Sequence, residues 1–143
     1  MRFDASVWGP HYWFFLHTVA ESYPLNPTPI TKRKYYDLLQ NFPLFIPEEE
    51  MGNTFSQLLD KYPVSPYLDS RESFVRWVHF MHNKMNHRLG KRELSLPAAL
   101  DAYRAQYAPM PVIITNHLRM RSHYVHATII LTCLFLIYYY YRD

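Results

Sequence analysis

The chain has 143 residues, one cysteine (Cys133), three glycines and a net charge of +3, room for one small domain and an appendage. A single thiol excludes an intrachain disulfide, a CxxC redox centre and a multi-thiolate metal site; the three glycines form neither a dinucleotide fingerprint nor a P-loop; the scattered positive charges give no footprint for nucleic acid. The surplus is aromatic, 17% of the chain, enough for a dense core or for a pocket that holds an aromatic cofactor.

In chain order, "GPHYWFFLHTVAESY" predicts a first helix with Pro10 near its first turn and Trp13, Leu16, His17 and Ala20 on one face. Pro24, Pro27 and Pro29 end it; Thr28 then caps a second helix with Pro29 in its first turn, running to about Phe42. A third starts near Pro47 and carries Met51, Phe55, Leu58 and Leu59 toward Lys61. "YPVSPY" reads as a loop, and Asp69 with Glu72 as the capping pair of a long fourth helix that turns Phe74, Trp77, Val78, Met81, Met85 and Leu89 inward and stops at Gly90. "SLPAALDAYRAQY" supplies a short fifth helix opening at Pro97. No segment alternates as a strand would, so residues 1–107 read as an all-α domain, a four-helix bundle with a short fifth helix.

The stretch "YVHATIILTCLFLIYYYY", Tyr124–Tyr141, carries no formal charge apart from a proton on His126. Eighteen helical residues rise about 27 Å, close to the thickness of a bilayer core. The four tyrosines fall where an interfacial aromatic belt sits, with Arg142 beyond them. A buried core helix is the competing reading, but no face of the pattern is polar. Residues 123–143 are therefore expected to be a C-terminal transmembrane anchor and 108–122, with its prolines, a tether. Arg119 and Arg121 before the span bias the N-terminal domain to the cytosolic side.

Two stretches carry the chemistry. On the fourth helix His79, His82, Asn83, Asn86 and His87 crowd two turns, and spacings of three and four let His82, Asn83 and Asn86 address one ligand. No H-E-x-x-H pattern occurs, so no metal site is expected. A solvated polar face would explain the cluster without a ligand. Trp77 on the same helix, with Trp13 and His17 on the first, instead offers an aromatic slot with polar edges, suited to a flat heteroaromatic ring. The second stretch, "FIPEEEMGNTF", sets three glutamates behind a proline at a helix start.

"WGPHYWFFLHTVAESYP" fits the pattern W-G-x-x-x-W-x-x-L-H-x-x-A-x-x-Y-P, and "FVRWVHFMHNKMNHRLGK" fits W-x-C-x-x-H-N-x-x-N-x-x-L-G-K apart from its cysteine. In these motifs, and over about residues 7–105, the chain resembles the Erv/ALR sulfhydryl oxidases, FAD-binding helical bundles that pass electrons from dithiols to oxygen. The resemblance implies FAD as cofactor. It implies that Trp13, His17 and Tyr23 line the flavin and adenine pocket, that Trp77, His82, Asn83 and Asn86 hold the isoalloxazine and adenosine, and that Lys91 lies near the phosphates; Trp8 and Gly9 serve the helix start. The same residues as a packed core, with no cofactor, is the alternative.

The resemblance also explains the glutamates. The family places a P-C-E-E-C redox disulfide at the start of its third helix; here Pro47, Glu48, Glu49, Glu50 and Met51 stand in those positions, so the two cysteines are replaced by Glu48 and Met51. The family's structural disulfide is missing too, its positions held by His79 and, by register, Leu96. A carboxylate and a thioether cannot cycle through a disulfide, and Glu48 beside the ring would disfavour an anionic reduced flavin. The expectation is a membrane-anchored FAD protein with impaired catalysis, a pseudoenzyme without catalytic residues. Two alternatives stand beside it: an active thiol oxidase whose cysteines come from a thiol-bearing partner, and a structural membrane or virion protein with an empty pocket. The resemblance further implies a homodimer through the first two helices and fits a viral origin with a viral or virion membrane as location.

Overall fold

The computed structural model describes residues 3–108 and 113–141, with side chains from residue 120 onward in the second stretch. It is helical, and no strand occurs among the described residues. The helices are α1 (Ala5–Glu21), α2 (Pro29–Asn41), α3 (Glu49–Lys61), α4 (Arg71–Arg88), α5 (Leu96–Ala105) and α6 (Ile113–Tyr141), with 3-10 turns at Phe42–Phe45 and Ser65–Tyr67. The chain divides into two compact units, Met1–Gln106 and Tyr107–Asp143.

The helix starts follow local chemistry. Asp4 caps α1 by accepting from the Ser6 N–H at 2.8 Å, so the helix begins before the predicted point and Pro10 lies inside it rather than in its first turn. Its ring leaves the Ser6 carbonyl without an intrahelical donor. Thr28 caps α2 as expected, accepting from Thr31 N–H with Pro29 as the first helical residue. Ser70, not Asp69, caps α4 by accepting from Ser73 N–H; Asp69 instead pairs with Lys32 at 2.5 Å. Ser95 caps α5. Gly90 follows α4 at φ 64°, a left-handed position that costs a side-chain-bearing residue and is open to glycine.

The core belongs to the first unit. α1 and α4 form its central pairing, with Leu16 and Ala20 against Phe74, Val78, Met81 and Met85, and Leu39, Phe55, Leu58 and Leu59 closing the other side. Gly52 lets the first turn of α3 press onto the 3-10 turn before it: a Cβ there would meet the Pro43 carbonyl oxygen at 2.9 Å.

The second unit differs from expectation at its start. α6 is helical from Ile113, inside the stretch read as a tether; residues 109–112, which hold both of that stretch's prolines, lie outside the described residues. Within it Met120–Tyr141, 22 residues, is long and apolar enough to cross a membrane by length and composition.

Candidate functional site

A cleft of about 270 Å³ runs between α1, α4 and α5 and is closed at one end by α3. Trp13 and His17 reach it from α1, His82, Asn83 and Asn86 from α4, and Lys91 from the turn beyond. Six of the eight residues that the sequence reading assigned to a cofactor thus line one cavity.

The other two lie in the core. Tyr23 is fully buried, donates its hydroxyl to the Leu68 carbonyl at 2.7 Å, and meets Tyr35 and Phe74 edge-on. Burial, with Tyr35 and Asp69 nearby, pushes its pKa up. Trp77 is buried against Phe74 and donates its indole N–H to the Tyr62 carbonyl at 3.0 Å. The helical stripe explains Trp77: positions 74, 77, 78 and 81 face the core and 79, 82, 83 and 86 the cleft, with Met85 buried between the two and lining the cleft as well.

The slot anticipated between Trp13 and α4 is occupied on one side by protein. The His82 ring stacks on Trp13 at 4.0 Å between centroids and 6° between planes. His82 Nδ1 is 3.1 Å from His17 Nε2, so one imidazole donates to the other. Burial, with His79 nearby, lowers the His17 pKa to about 4. Burial, with His17, His79 and Lys91 nearby, lowers that of His82 to about 3. Both rings are therefore neutral at physiological pH, and the cleft presents flat, uncharged, hydrogen-bonding surfaces.

These shifts make a stability prediction. Both folded values lie below the unfolded 6.5, so the unfolded chain binds more protons as the medium acidifies. Full stability is present above about pH 6.5, falls as pH drops below it, and levels off only beneath the folded values near 4 and 3. A melting series from pH 7.5 to about 4.5 is expected to show this decline, and a His17→Phe variant to show a shallower one.

Several cleft residues were missed or underused. Trp8, assigned only to the helix start, lines the cavity, and its indole N–H is buried without a partner among the described residues. His17 Nδ1 is likewise buried and unpartnered. His79, named in the fourth-helix cluster and as the replacement of a cysteine but not assigned to the cofactor, lines the wall beside Asn83, with its pKa lowered by burial. Tyr103 of α5 covers the cavity, its hydroxyl 3.0 Å from Thr18 Oγ1. Only the short helix "LPAALDAYRA" signalled that last residue, because nothing in its spacing marks a ligand-facing position.

The two positions of the absent redox pair part company. Met51 lines the cleft with Ile46 and Phe55. Glu48 is exposed at the N-cap of α3 and borders a separate shallow depression with Glu49, Glu50 and Asn53. It does not line the cleft, so the like-charge argument made for it does not hold, and what remains is the loss of the thiols.

The family model for the Erv1 / Alr family matches residues 10–107. "Probable FAD-linked sulfhydryl oxidase R368" of Acanthamoeba polyphaga mimivirus is 35% identical over 103 residues, 71% of this chain and 72% of that protein. The mitochondrial FAD-linked sulfhydryl oxidase erv1 of Schizosaccharomyces pombe is 39% identical over 88 residues, 62% of this chain but 48% of its own length. Among solved structures, the yeast Erv1 core superposes with a TM-score of 0.63 at 30% identity, over 68% of this chain and 80% of that one. A matching helical core and a family model spanning most of the first unit place the chain in the Erv1/Alr family.

Proposed function

We propose that the protein is a membrane-anchored FAD-binding member of the sulfhydryl oxidase family that does not itself oxidise dithiols. The observation that carries the first half is the unsatisfied chemistry of the cleft. Trp8 and His17 hold buried polar atoms without partners, each a free-energy cost that a ligand with matching donors and acceptors removes. The Trp13–His82 stack and the neutral imidazoles suit a flat heteroaromatic ring, and Lys91 at the cleft edge suits a phosphate. The residues present therefore fit FAD. Bound there, it would supply two-electron transfer between a thiol donor and an acceptor such as oxygen.

The second half rests on Met51 and Glu48. Met51, on the cleft wall, has a thioether that neither deprotonates nor forms a disulfide. Glu48, at the helix N-cap, accepts no electrons. The chain's one thiol, Cys133, belongs to α6, within the apolar stretch. Met120–Tyr141 anchors the protein in a membrane on this reading. Exposed apolar side chains along α1 and α2, among them Val7, Phe15 and Ile30, support self-association of the first unit.

The full chain purified in detergent is expected to release FAD on denaturation, close to one per chain. It should consume oxygen with dithiothreitol no faster than free FAD at the same concentration. Release of no flavin would overturn the cofactor reading; oxygen uptake far above that of free FAD would overturn the catalytic one.

A further inference from the structure

Beyond α4 the chain doubles back along the helix it has just left, and four interactions fasten it there. Gly90, at φ 64°, makes the turn. Lys91 N–H donates to the Asn86 carbonyl at 2.8 Å, and His87 Nδ1 pairs with Glu93 Oε1 at 3.1 Å. The other two are both made by one side chain: Asn83 Nδ2 donates to the Leu94 carbonyl at 2.8 Å, while Asn83 Oδ1 accepts from Leu94 N–H at 3.2 Å. This pairing fixes the orientation of the amide, because a flipped Asn83 would set donor against donor.

Asn83 Nδ2 also lies 3.3 Å from His79 Nε2, which accepts from it when the imidazole carries its proton on Nδ1. An Asn amide offers two donor hydrogens and an oxygen with two lone pairs, so both of its hydrogens and one of the two lone pairs are engaged within the chain. The Asn86 amide, one turn further on, makes no side-chain hydrogen bond among the described residues and also lines the cleft. Lys91 and Leu94, the two ends of the doubled-back segment, line it as well.

We propose that Asn83 is a positioning residue: oriented by His79, it clasps the Leu94 backbone and so holds the wall that carries Lys91, while Asn86 is the amide left to meet the ligand. The consequence for ligand binding rests on the cofactor reading above, with a dinucleotide whose phosphates face Lys91; the clasp itself does not. Its hydrogen bonds are made wholly within the chain and use no ligand atom, so the proposal holds the wall to be preorganised rather than closed by binding.

Hydrogen–deuterium exchange on the full chain, cofactor-free and then with added FAD, tests this. In the cofactor-free wild type the Leu94 amide should exchange about tenfold or more slowly than its unbonded neighbour Arg92, consistent with one retained hydrogen bond. Asn83→Ala should abolish that protection and His79→Ala should reduce it, whereas Asn86→Ala should leave it intact while weakening FAD binding. Leu94 exchanging as fast as Arg92 without cofactor would overturn the clasp. So would protection that survives Asn83→Ala, or that appears only when FAD is added. The wild-type measurement stands even if a variant fails to fold, and a chain that binds no FAD yet protects Leu94 would sink the cofactor reading alone.

Discussion

Replacing Glu48 and Met51 together by cysteine is expected to turn the protein into a dithiol oxidase. The two positions are the N-cap and third residue of α3, three apart, a spacing at which side chains on a helix are neighbours. The helix N-terminus favours a thiolate there, and the residue at 51 already faces the cleft. The E48C/M51C variant should take dithiothreitol-dependent oxygen uptake from the background of free flavin to a turnover on the order of 1 s⁻¹, the low end of ordinary enzymes. The single variants should stay near background, because one thiol cannot form the internal disulfide. A double variant that binds FAD, forms the disulfide and remains inert would show that something other than the missing thiols limits this chain.

The second large effect concerns Trp13. Its ring is stacked by His82 on one side and packed toward Phe55 on another, so it fixes the shape of the slot as well as offering a face. Trp13→Ala removes both functions. Loss of stacking and of the apolar area buried under a ring should weaken FAD binding about a hundredfold, read by flavin fluorescence on titration. Trp13→Phe keeps a face and should lose much less. An alanine variant that purifies as yellow as the wild type would move the cofactor elsewhere.

The elements of the fold were legible because their signals are local. Thr28 before Pro29, Gly90 at a helix end and the apolar run of the C-terminal stretch each act within a few residues, and the structure places helices accordingly. Where local signals compete, the sequence left a choice. Asp69 and Ser70 both suit a cap, and the choice depends on Lys32, 37 residues away, which draws Asp69 aside. Asp4 was overlooked as the cap of α1 because Pro10 offered a more conspicuous start.

The cleft was legible in part for the same reason. The stripe of positions 79, 82, 83 and 86 can be read from helical spacing, and it is the stripe that faces the cavity. Trp77 belongs to the neighbouring stripe, and its membership in a motif outweighed its angular position. Tyr23 lies beyond the end of α1, where spacing no longer predicts direction, and its hydroxyl finds Leu68, 45 residues on. Met51 is on the wall and Glu48 outside it, although both sit in the first turn region of α3, and helical spacing alone does not say which of the two a cavity will take.

The most direct test of the central claim is the visible absorbance spectrum of the full chain, recorded without oxygen before and after excess dithiothreitol. The account predicts flavin bands that are present at the start and bleach no faster than those of free FAD, since Glu48 and Met51 stand where a redox pair of thiols would pass electrons on. Prompt bleaching, or a folded protein with no flavin bands at all, would contradict it.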